Sequence, residues 1–329
     1  MSGFQGERQP LGETYGGQAV IEGVLMRGKH IAAIAVRRMD GEIVIKEESL
    51  SGLYRGAVSR IPFLRGMPML WDALGLGMRA LFFSAETVGQ GEDPEFSMSG
   101  GLGFATGVVA LVLGVGLFMV LPSFVAGLLV RDQVLLFNMV EGSIRLLLLI
   151  GYVAAIAQAE DIRRVFAYHG AEHKTINAHE NGAPLTVEGV RPYSRQHVRC
   201  GTAFLLTVVL ISVLVLAPLG RPSLALRVLS RLILLPIIAG ISYEILRFTA
   251  RHKESSVIKW LVAPNLALQR LTTREPDDSM LEVAITALNA VLVGEAQAVD
   301  AIGTEAGLTL ESASAKGLAD GDARPAEAT

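Results

Sequence analysis

The longest uncharged stretch of the chain is the feature that most limits how it can fold. No charged residue occurs from position 96 to position 130. A helix needs about 20 apolar residues to cross the hydrocarbon core of a bilayer. Residues 102–124 are therefore predicted to form a first transmembrane helix. The 51% hydrophobic content and the mean hydropathy of +0.44 also favour a membrane protein.

Three further apolar segments, at residues 134–157, 201–220 and 229–248, predict three more transmembrane helices. The first of them contains Glu141 and Arg145, which are four residues apart and therefore share one face of a helix. Charges inside a membrane are costly and usually face the interior of a helix bundle. We interpret these two residues as a structural ion pair.

The distribution of Lys and Arg predicts the orientation of the four helices. Residues 1–100 contain ten, residues 158–201 contain six, and residues 249–275 contain five. The connections at 121–133 and 219–230 contain one and two. Cytosolic segments carry the excess of Lys and Arg. This alternation predicts four spans with both termini in the cytosol.

The residues before the first span predict a small sheet followed by a helix. A glycine-bracketed apolar run at 16–28 predicts one strand. Asp40 and Gly41 lie between two β-branched runs, which is typical of a hairpin. Residues 61–83 predict a helix that lies either on the bilayer surface or inside a soluble domain.

The expected fold is an α-helical polytopic membrane protein with about four transmembrane helices and a small α+β cytosolic domain that includes an N-terminal β-hairpin. An amphipathic pattern at 279–295 adds a cytosolic helix, preceded by acidic residues that favour a helix N-terminus. The predicted segments are a flexible N-terminus (1–15), a cytosolic β-rich domain with the 61–83 helix and a polar linker at 86–100 (16–100), transmembrane helices 1 and 2 (101–157), a cytosolic histidine-rich segment (158–200), transmembrane helices 3 and 4 (201–248), cytosolic C-terminal helices (249–298) and a disordered tail (299–329).

Charge and cysteine content narrow the function classes. The net charge is −3, and no basic field indicates specific nucleic-acid binding. One cysteine excludes an intramolecular disulfide. The expected partner is the lipid bilayer.

Residues 168–200 hold four of the six histidines and the only cysteine. His169 and His173 are four residues apart, so on a helix they share a face and can bind one metal ion. His197 and Cys200 are three apart and can converge in the same way. A divalent transition metal can accept His, Cys and carboxylate ligands together, and Zn²⁺ is the preferred candidate. In the alternative interpretation, the histidines cap helices and bond carboxylates without any metal.

Three carboxylates are candidate catalytic residues. Glu172 precedes His173 in the pattern H-x-x-E-H, in which a carboxylate beside a metal ligand activates water. Glu22 lies in the glycine-rich N-terminal segment, and Glu244 lies near the end of the fourth predicted span. Solvated or interfacial charges are the alternative interpretation of Glu22 and Glu244.

Five separated motifs resemble the YqhQ-like bacterial membrane proteins, a family of unknown function whose members are often labelled metal-dependent enzymes. The motifs are GGQAVIEGVLMRG, YHGAEHKTINAHE, HVRCGT, ISYEILR and LQRLTTREPDDSMLEVAITAL. The resemblance covers residues 15–295 and implies a multi-pass protein of the bacterial cytoplasmic (inner) membrane. It implies the signature polar positions Glu22, His169, Glu172, His173, His197, Cys200 and Glu244. Val198 stands where the family tends to have proline.

Two functions from different classes follow. The first is a metal-dependent membrane enzyme with Glu172 as general base, and hydrolysis is the preferred reaction class. The second is a non-catalytic factor that assists the biogenesis or assembly of membrane proteins, because genes of the family often lie beside translation genes; its partner would be a membrane protein or a ribosome-associated factor. A transporter with Glu141, Arg145, Arg231 and Glu244 along a path is a weaker alternative, because the chain has no visible internal repeat.

Overall fold

A computed structural model of the chain describes residues 15–50, 66–92, 101–130, 132–220, 223–252 and 255–319. The predicted flexible N-terminus at 1–14 lies outside these ranges, as do residues 61–65 of the predicted helix and residues 93–100 of the predicted linker.

The N-terminal residues form one antiparallel sheet in which neighbours in sequence are neighbours in space. Its strands are β1 (Gly16–Val20), β2 (Gly23–Arg27), β3 (Ile31–Arg37) and β4 (Ile43–Ser49). The hairpin predicted at Asp40-Gly41 is confirmed, and Gly41 has the positive φ of +89° that such a turn requires. The prediction of a single strand over 16–28 is wrong. The chain reverses at Ile21 and Glu22, where Glu22 has a φ of +50°, and neither of these two residues is a glycine or an asparagine.

The central strands β2 and β3 are buried on both faces of the sheet because each alternates two sets of apolar side chains. Val24 and Met26 of β2 point to one face, where α5 (Glu160–Glu180) and α10 (Asp278–Ala319) cover them. Leu25 points to the other face, which α1 (Gly66–Glu92) covers. We call β1–β4 together with α5 and α10 the sheet domain.

The helix α1 has two different faces. Leu76 and Ala80 pack against the sheet, whereas Trp71 is 80% exposed. The helix predicted within 61–83 is therefore confirmed from residue 66 onwards, with one face buried and one exposed. It continues to Glu92, so residues 86–92 are helical where a linker was predicted.

Four described helical segments have the length and composition to cross a membrane: Gly103–Leu129, Val134–Ile156, Ala225–Arg251 and Asp278–Asp300. A shorter apolar helix spans Phe204–Leu219. The elements concerned are α2 (Gly101–Val115), a π-helical turn (Gly116–Val120), α3 (Leu121–Leu129), α4 (Val134–Ile156), α7 (Gly201–Leu216) with a 3-10 turn (Ala217–Leu219), α8 (Leu224–Arg251) and α10. These helices identify a membrane protein, and the four spans predicted from sequence are all helical.

The segment Asp278–Asp300 differs from the other three because 56% of its most apolar 18-residue stretch is buried inside the protein. Leu281 and Leu288 pack in the core of the sheet domain. Asp277 starts the helix by accepting a hydrogen bond from the Met280 N–H at 3.0 Å. This part of α10 is therefore the amphipathic helix predicted at 279–295.

The rest of α10 continues to Ala319, over residues where the composition predicts a disordered tail. Residues 301–319 contain five Ala and three Leu, and both residue types have high helix propensity. Residues 320–329 lie outside the described part of the chain.

Two short elements complete the fold around α5. They are α6 (Val187–Val190) and α9 (Ser256–Thr272). α9 buries Ile258 and Val262 and exposes Val257 and Trp260, the latter to 79%. Like α1, it has an apolar face without a cover among the described residues.

Candidate metal centre

The helix α5 carries both histidines of the H-x-x-E-H pattern. Glu160 and Asp161 lie in its first turn, where the helix dipole favours negative charge, and Gly182 follows its C-terminus with a φ of +70°. Gly170 lets the Arg274 carbonyl approach the helix closely, since a Cβ atom there would collide with it. The segment after α9 is thereby held against α5, one residue from His169.

Both histidines are fixed by backbone carbonyls. His169 donates from Nδ1 to the Thr272 carbonyl at 2.8 Å, and His173 donates from Nδ1 to the Arg195 carbonyl at 2.7 Å. A carbonyl oxygen only accepts, so Nδ1 carries the proton in each ring. In the neutral form, each Nε2 therefore presents a lone pair. Nε2 of His173 is buried and has no hydrogen-bond partner in the described part of the chain.

Cys200 lies next to the Nε2 atom of His169. Its Sγ lies 3.2 Å from Nε2 of His169. Among the described His, Cys, Asp and Glu residues, His169, His173 and Cys200 form a group whose ligand atoms all lie within 4.8 Å of one another. We call these three residues the His/Cys cluster.

Cys200 is fixed in place at the start of a helix. It is the N-cap residue of α7, and its Sγ accepts a hydrogen bond from the Thr202 N–H at 3.4 Å. The thiolate is the form that binds metals.

Side-chain amides hold the segment between α6 and α7 in place. Asn177 donates to the Ser194 and Gln196 carbonyls at 2.7 and 3.0 Å. Gln269 accepts from the His197 N–H at 3.0 Å and donates to the His197 carbonyl at 2.8 Å. This two-sided clamp fixes the backbone of His197. The sequence motifs contain both amides, but their clamping role depends on contacts between residues distant in sequence.

The His197 side chain faces a carboxylate instead of the His/Cys cluster. Its Nε2 lies 3.4 Å from Glu180 Oε1, and Glu180 also pairs with Arg199. Burial lowers the pKa of His197, so its neutral form is favoured. Burial alone would raise the pKa of Glu180, but the nearby His197 and Arg199 bring it down to about 2. His197, predicted as a ligand, thus lies beside the cluster with a different partner.

Glu172 lies on the face of α5 that turns to the sheet. It is buried, and its Oε2 has no hydrogen-bond partner in the described ranges. Its carboxylate packs against Gly17 of β1, where a Cβ atom would lie 2.9 Å from it. Burial raises the pKa of Glu172 to about 7, a value that nearby His169 opposes.

The other two predicted carboxylates lie elsewhere. Glu22 makes two 2.5 Å bonds with the Arg164 guanidinium and accepts a 3.3 Å bond from the Tyr168 hydroxyl. The structure thereby uses it to join the β1–β2 turn to α5. Glu244 is a partly buried residue of α8, and it is not in the His/Cys cluster.

The fold and the cluster together define a class: a helical membrane protein with a His/His/Cys cluster where its sheet domain meets its membrane-length helices. The family described as "Protein of unknown function (DUF1385)" matches residues 61–294, and the chain belongs to this family. It is 38% identical over 299 residues to "Uncharacterized protein YqhQ" of Bacillus subtilis (strain 168), which covers 86% of this chain and 93% of that protein. The YqhQ-like resemblance of the motifs is confirmed. No solved structure matches the chain.

Proposed function

We propose that the protein is a metal-dependent membrane enzyme of the hydrolase type whose metal is held by His169, His173 and Cys200. The observation that carries the proposal is the state of the two imidazoles. In each ring the Nδ1 proton is engaged by a backbone carbonyl, Nε2 of His169 faces Cys200 Sγ, and Nε2 of His173 is buried without a hydrogen-bond partner among the described residues. Metal-binding histidines show this arrangement, because the outer hydrogen bond fixes both tautomer and ring orientation.

The donor set fits a borderline-soft divalent ion. Two imidazole nitrogens and one thiolate suit Zn²⁺. Tetrahedral zinc places N and S ligands about 3.5 Å apart, as follows from its bond lengths. The 3.2 Å separation of His169 Nε2 and Cys200 Sγ is close to this value. When bound, such an ion supplies Lewis acidity that polarises a carbonyl or acidifies water.

Glu172 is the proposed general base. A carboxyl group with a pKa near 7 can both take and return a proton at neutral pH. It is one residue from His173 and three from His169, so it lies on α5 beside both proposed ligands. Its buried Oε2 has no hydrogen-bond partner among the described residues and is available for that proton.

Packing supports the proposed orientation of the site. The sheet precedes the first two membrane-length helices, α5 follows them, and α10 follows α7 and α8, yet Val24, Tyr168 and Leu281 belong to one core. Segments of one domain lie on the same side of a membrane, and this favours two crossings by each intervening helix pair. With the Lys and Arg distribution, this supports four spans, with the sheet domain and both termini in the cytosol of a bacterial inner membrane.

A second candidate function is supported by the number of elements that meet at the cluster. His169 is bonded to the end of α9, and Cys200 starts α7. A metal there would tie three elements together and serve stability alone, as expected of a non-catalytic factor in membrane-protein biogenesis near the translation machinery. X-ray absorption at the zinc edge separates the two cases. Four protein ligands support the structural role, and three protein ligands with one light oxygen ligand support catalysis.

The replacement Glu172→Gln tests the catalytic role. Purified wild type and variant are loaded with Zn²⁺ and assayed on esters, amides and phosphate esters carrying acyl chains. We expect equal metal content and loss of turnover by about 10²–10⁴-fold, the usual contribution of a general base. Glu188→Gln, a change in the exposed region of α6, is the matched control and should keep activity. Full activity in Glu172→Gln would exclude this role.

A further inference from the structure

The membrane-length helices enclose a second polar cluster. It consists of Arg145, Arg227, Arg231 and Glu141, and we call it the arginine cluster. Glu141 accepts from Arg145 at 2.9 Å, which confirms the predicted pair, and it also pairs with Arg231 of α8. Glu141 is 3% exposed and Arg231 is 5% exposed.

The arginine cluster has an excess of positive charge. Arg145 and Arg231 pair with Glu141, while the partly buried Arg227 lies one turn before Arg231 in α8 and donates to Ser123, so the cluster holds two more positive than negative charges. The other described carboxylate on the membrane-length helices α4 and α8 is Glu244. It lies 13 residues from Arg231 along α8, or about 20 Å at the helical rise. Uncompensated charge inside a membrane is costly.

The donors of the cluster are only partly used. Nε and Nη1 of Arg231 and Nε of Arg227 are buried and have no hydrogen-bond partner in the described ranges. A buried charged donor without an acceptor costs more than a neutral one. These groups lie among the membrane-length helices, and each of them is a hydrogen-bond donor. An anion would satisfy both their charge and their hydrogen bonds.

The backbone and side chains around the arginine cluster hold the guanidinium groups in place. The wide turn Gly116–Val120 is π-helical, and within it the Phe118 carbonyl accepts from Arg145 Nε at 3.0 Å. Single π-turns occur often at functional sites. Arg227 is held by the Ser123 hydroxyl at 3.1 Å and lies 5.0 Å over the Phe137 ring. The arginines are therefore positioned by groups that leave their charge uncompensated.

We propose that the arginine cluster binds one phosphate group of a phosphate ester. A phosphate monoester carries a charge of about −1.5 to −2 at neutral pH, which matches the excess of the cluster, and guanidinium groups bind phosphate through paired hydrogen bonds. An apolar groove of about 470 Å³ runs along α4, and its walls include Leu117 and Ile144, which directly precede Phe118 and Arg145 in the chain. Its walls suit an acyl chain, so a phosphate lipid is the expected source. This proposal does not depend on the metal centre.

The test measures the thermal stability of the detergent-purified full chain in two titrations. One uses inorganic phosphate. The other uses dioleoyl phosphatidic acid in mixed micelles, with dioleoylglycerol as the control that lacks only the phosphate. We expect phosphatidic acid to raise Tm and dioleoylglycerol to leave it unchanged. A rise with inorganic phosphate as well assigns the site to the free anion.

Two variants assign the effect to the cluster. Arg231→Met should weaken the apparent affinity for phosphatidic acid by about tenfold or more, as expected when a charged hydrogen bond is lost. Arg227→Met should also weaken this affinity, and this variant replaces Arg231→Met in the test if Arg231→Met does not fold. Arg247→Met removes the same charge from the other end of α8 and should leave the affinity unchanged. No Tm rise in wild type, or an equal rise in both cluster variants, would overturn the proposal.

Discussion

The His/Cys cluster and the arginine cluster are two polar centres in one largely apolar protein. They differ in whether hydrogen-bond acceptors or donors remain unused. In the first, carbonyls occupy the Nδ1 donors of two imidazoles, and unshared electron pairs remain. In the second, one carboxylate is shared by two arginines, and unused N–H donors remain. The first is thus suited to a cation and the second to an anion. The leftover hydrogen-bonding capacity of a buried cluster indicates the sign of its ligand.

The largest effect should come from the carboxylate of the arginine cluster. Among the described residues, Glu141 is the carboxylate that pairs with Arg145 and Arg231. Glu141→Gln removes its charge, and breaking a buried ion pair costs about 3–5 kcal/mol. We expect a clear fall in the free energy of unfolding, measured by denaturant titration in detergent. Glu42→Gln is the matched control, since Glu42 also pairs with an arginine four residues away but is exposed. An exposed pair contributes about 0–1 kcal/mol. Equal effects of the two variants would contradict a buried cluster.

A smaller effect should come from the clamp beside the His/Cys cluster. Gln269→Ala removes both hydrogen bonds to the His197 backbone, and so loosens the segment that runs into Cys200. Loss of such outer-shell support weakens metal binding by about 10–100-fold. Competition with a chromogenic zinc chelator measures this affinity. Gln158→Ala, which removes an exposed amide that donates to the Ala154 carbonyl in the last turn of α4, is the control. Unchanged affinity in Gln269→Ala would show that the clamp does not position the ligands.

The smallest effect should come from Val198, which stands where the family tends to have proline. The Cys200 N–H donates to the His197 carbonyl at 3.3 Å, so Val198 is the second residue of a four-residue turn. Proline suits this position because its fixed φ matches common turns. Val198→Pro should stabilise the protein by about 0.4–1 kcal/mol, through the entropy of the unfolded chain. Denaturant titration measures this change in the free energy of unfolding. A destabilised variant would contradict the prediction and would show that the turn needs the Val198 N–H.

Local sequence periodicity predicted much of the fold and part of the site. Apolar runs located the membrane-length helices, and the four-residue spacing of His169 and His173 placed them on one face of α5. The same spacing predicted the pair of Glu141 and Arg145. Each of these features depends on residues within a few turns of one helix.

Features that depend on distant residues were not predictable in this way. Arg231 pairs with Glu141 across 90 positions, and Gln269 clamps His197 across 72. Nothing in the local pattern around either partner indicates the other. The turn at Glu22 was missed for a related reason, since its positive φ is held by tertiary contacts with Arg164 and not by a turn-forming residue.

The measurement that tests the central claim most directly is the metal content of the detergent-purified protein. Wild type, His173→Ala and His252→Ala are purified in parallel and analysed for transition metals before and after zinc loading. His252 is exposed and bonded within α8, so it is the matched control. We predict about one equivalent of metal in wild type and in His252→Ala, and its loss in His173→Ala. No metal in loaded wild type, or equal metal in all three proteins, would contradict the assignment of the His/Cys cluster as a metal centre.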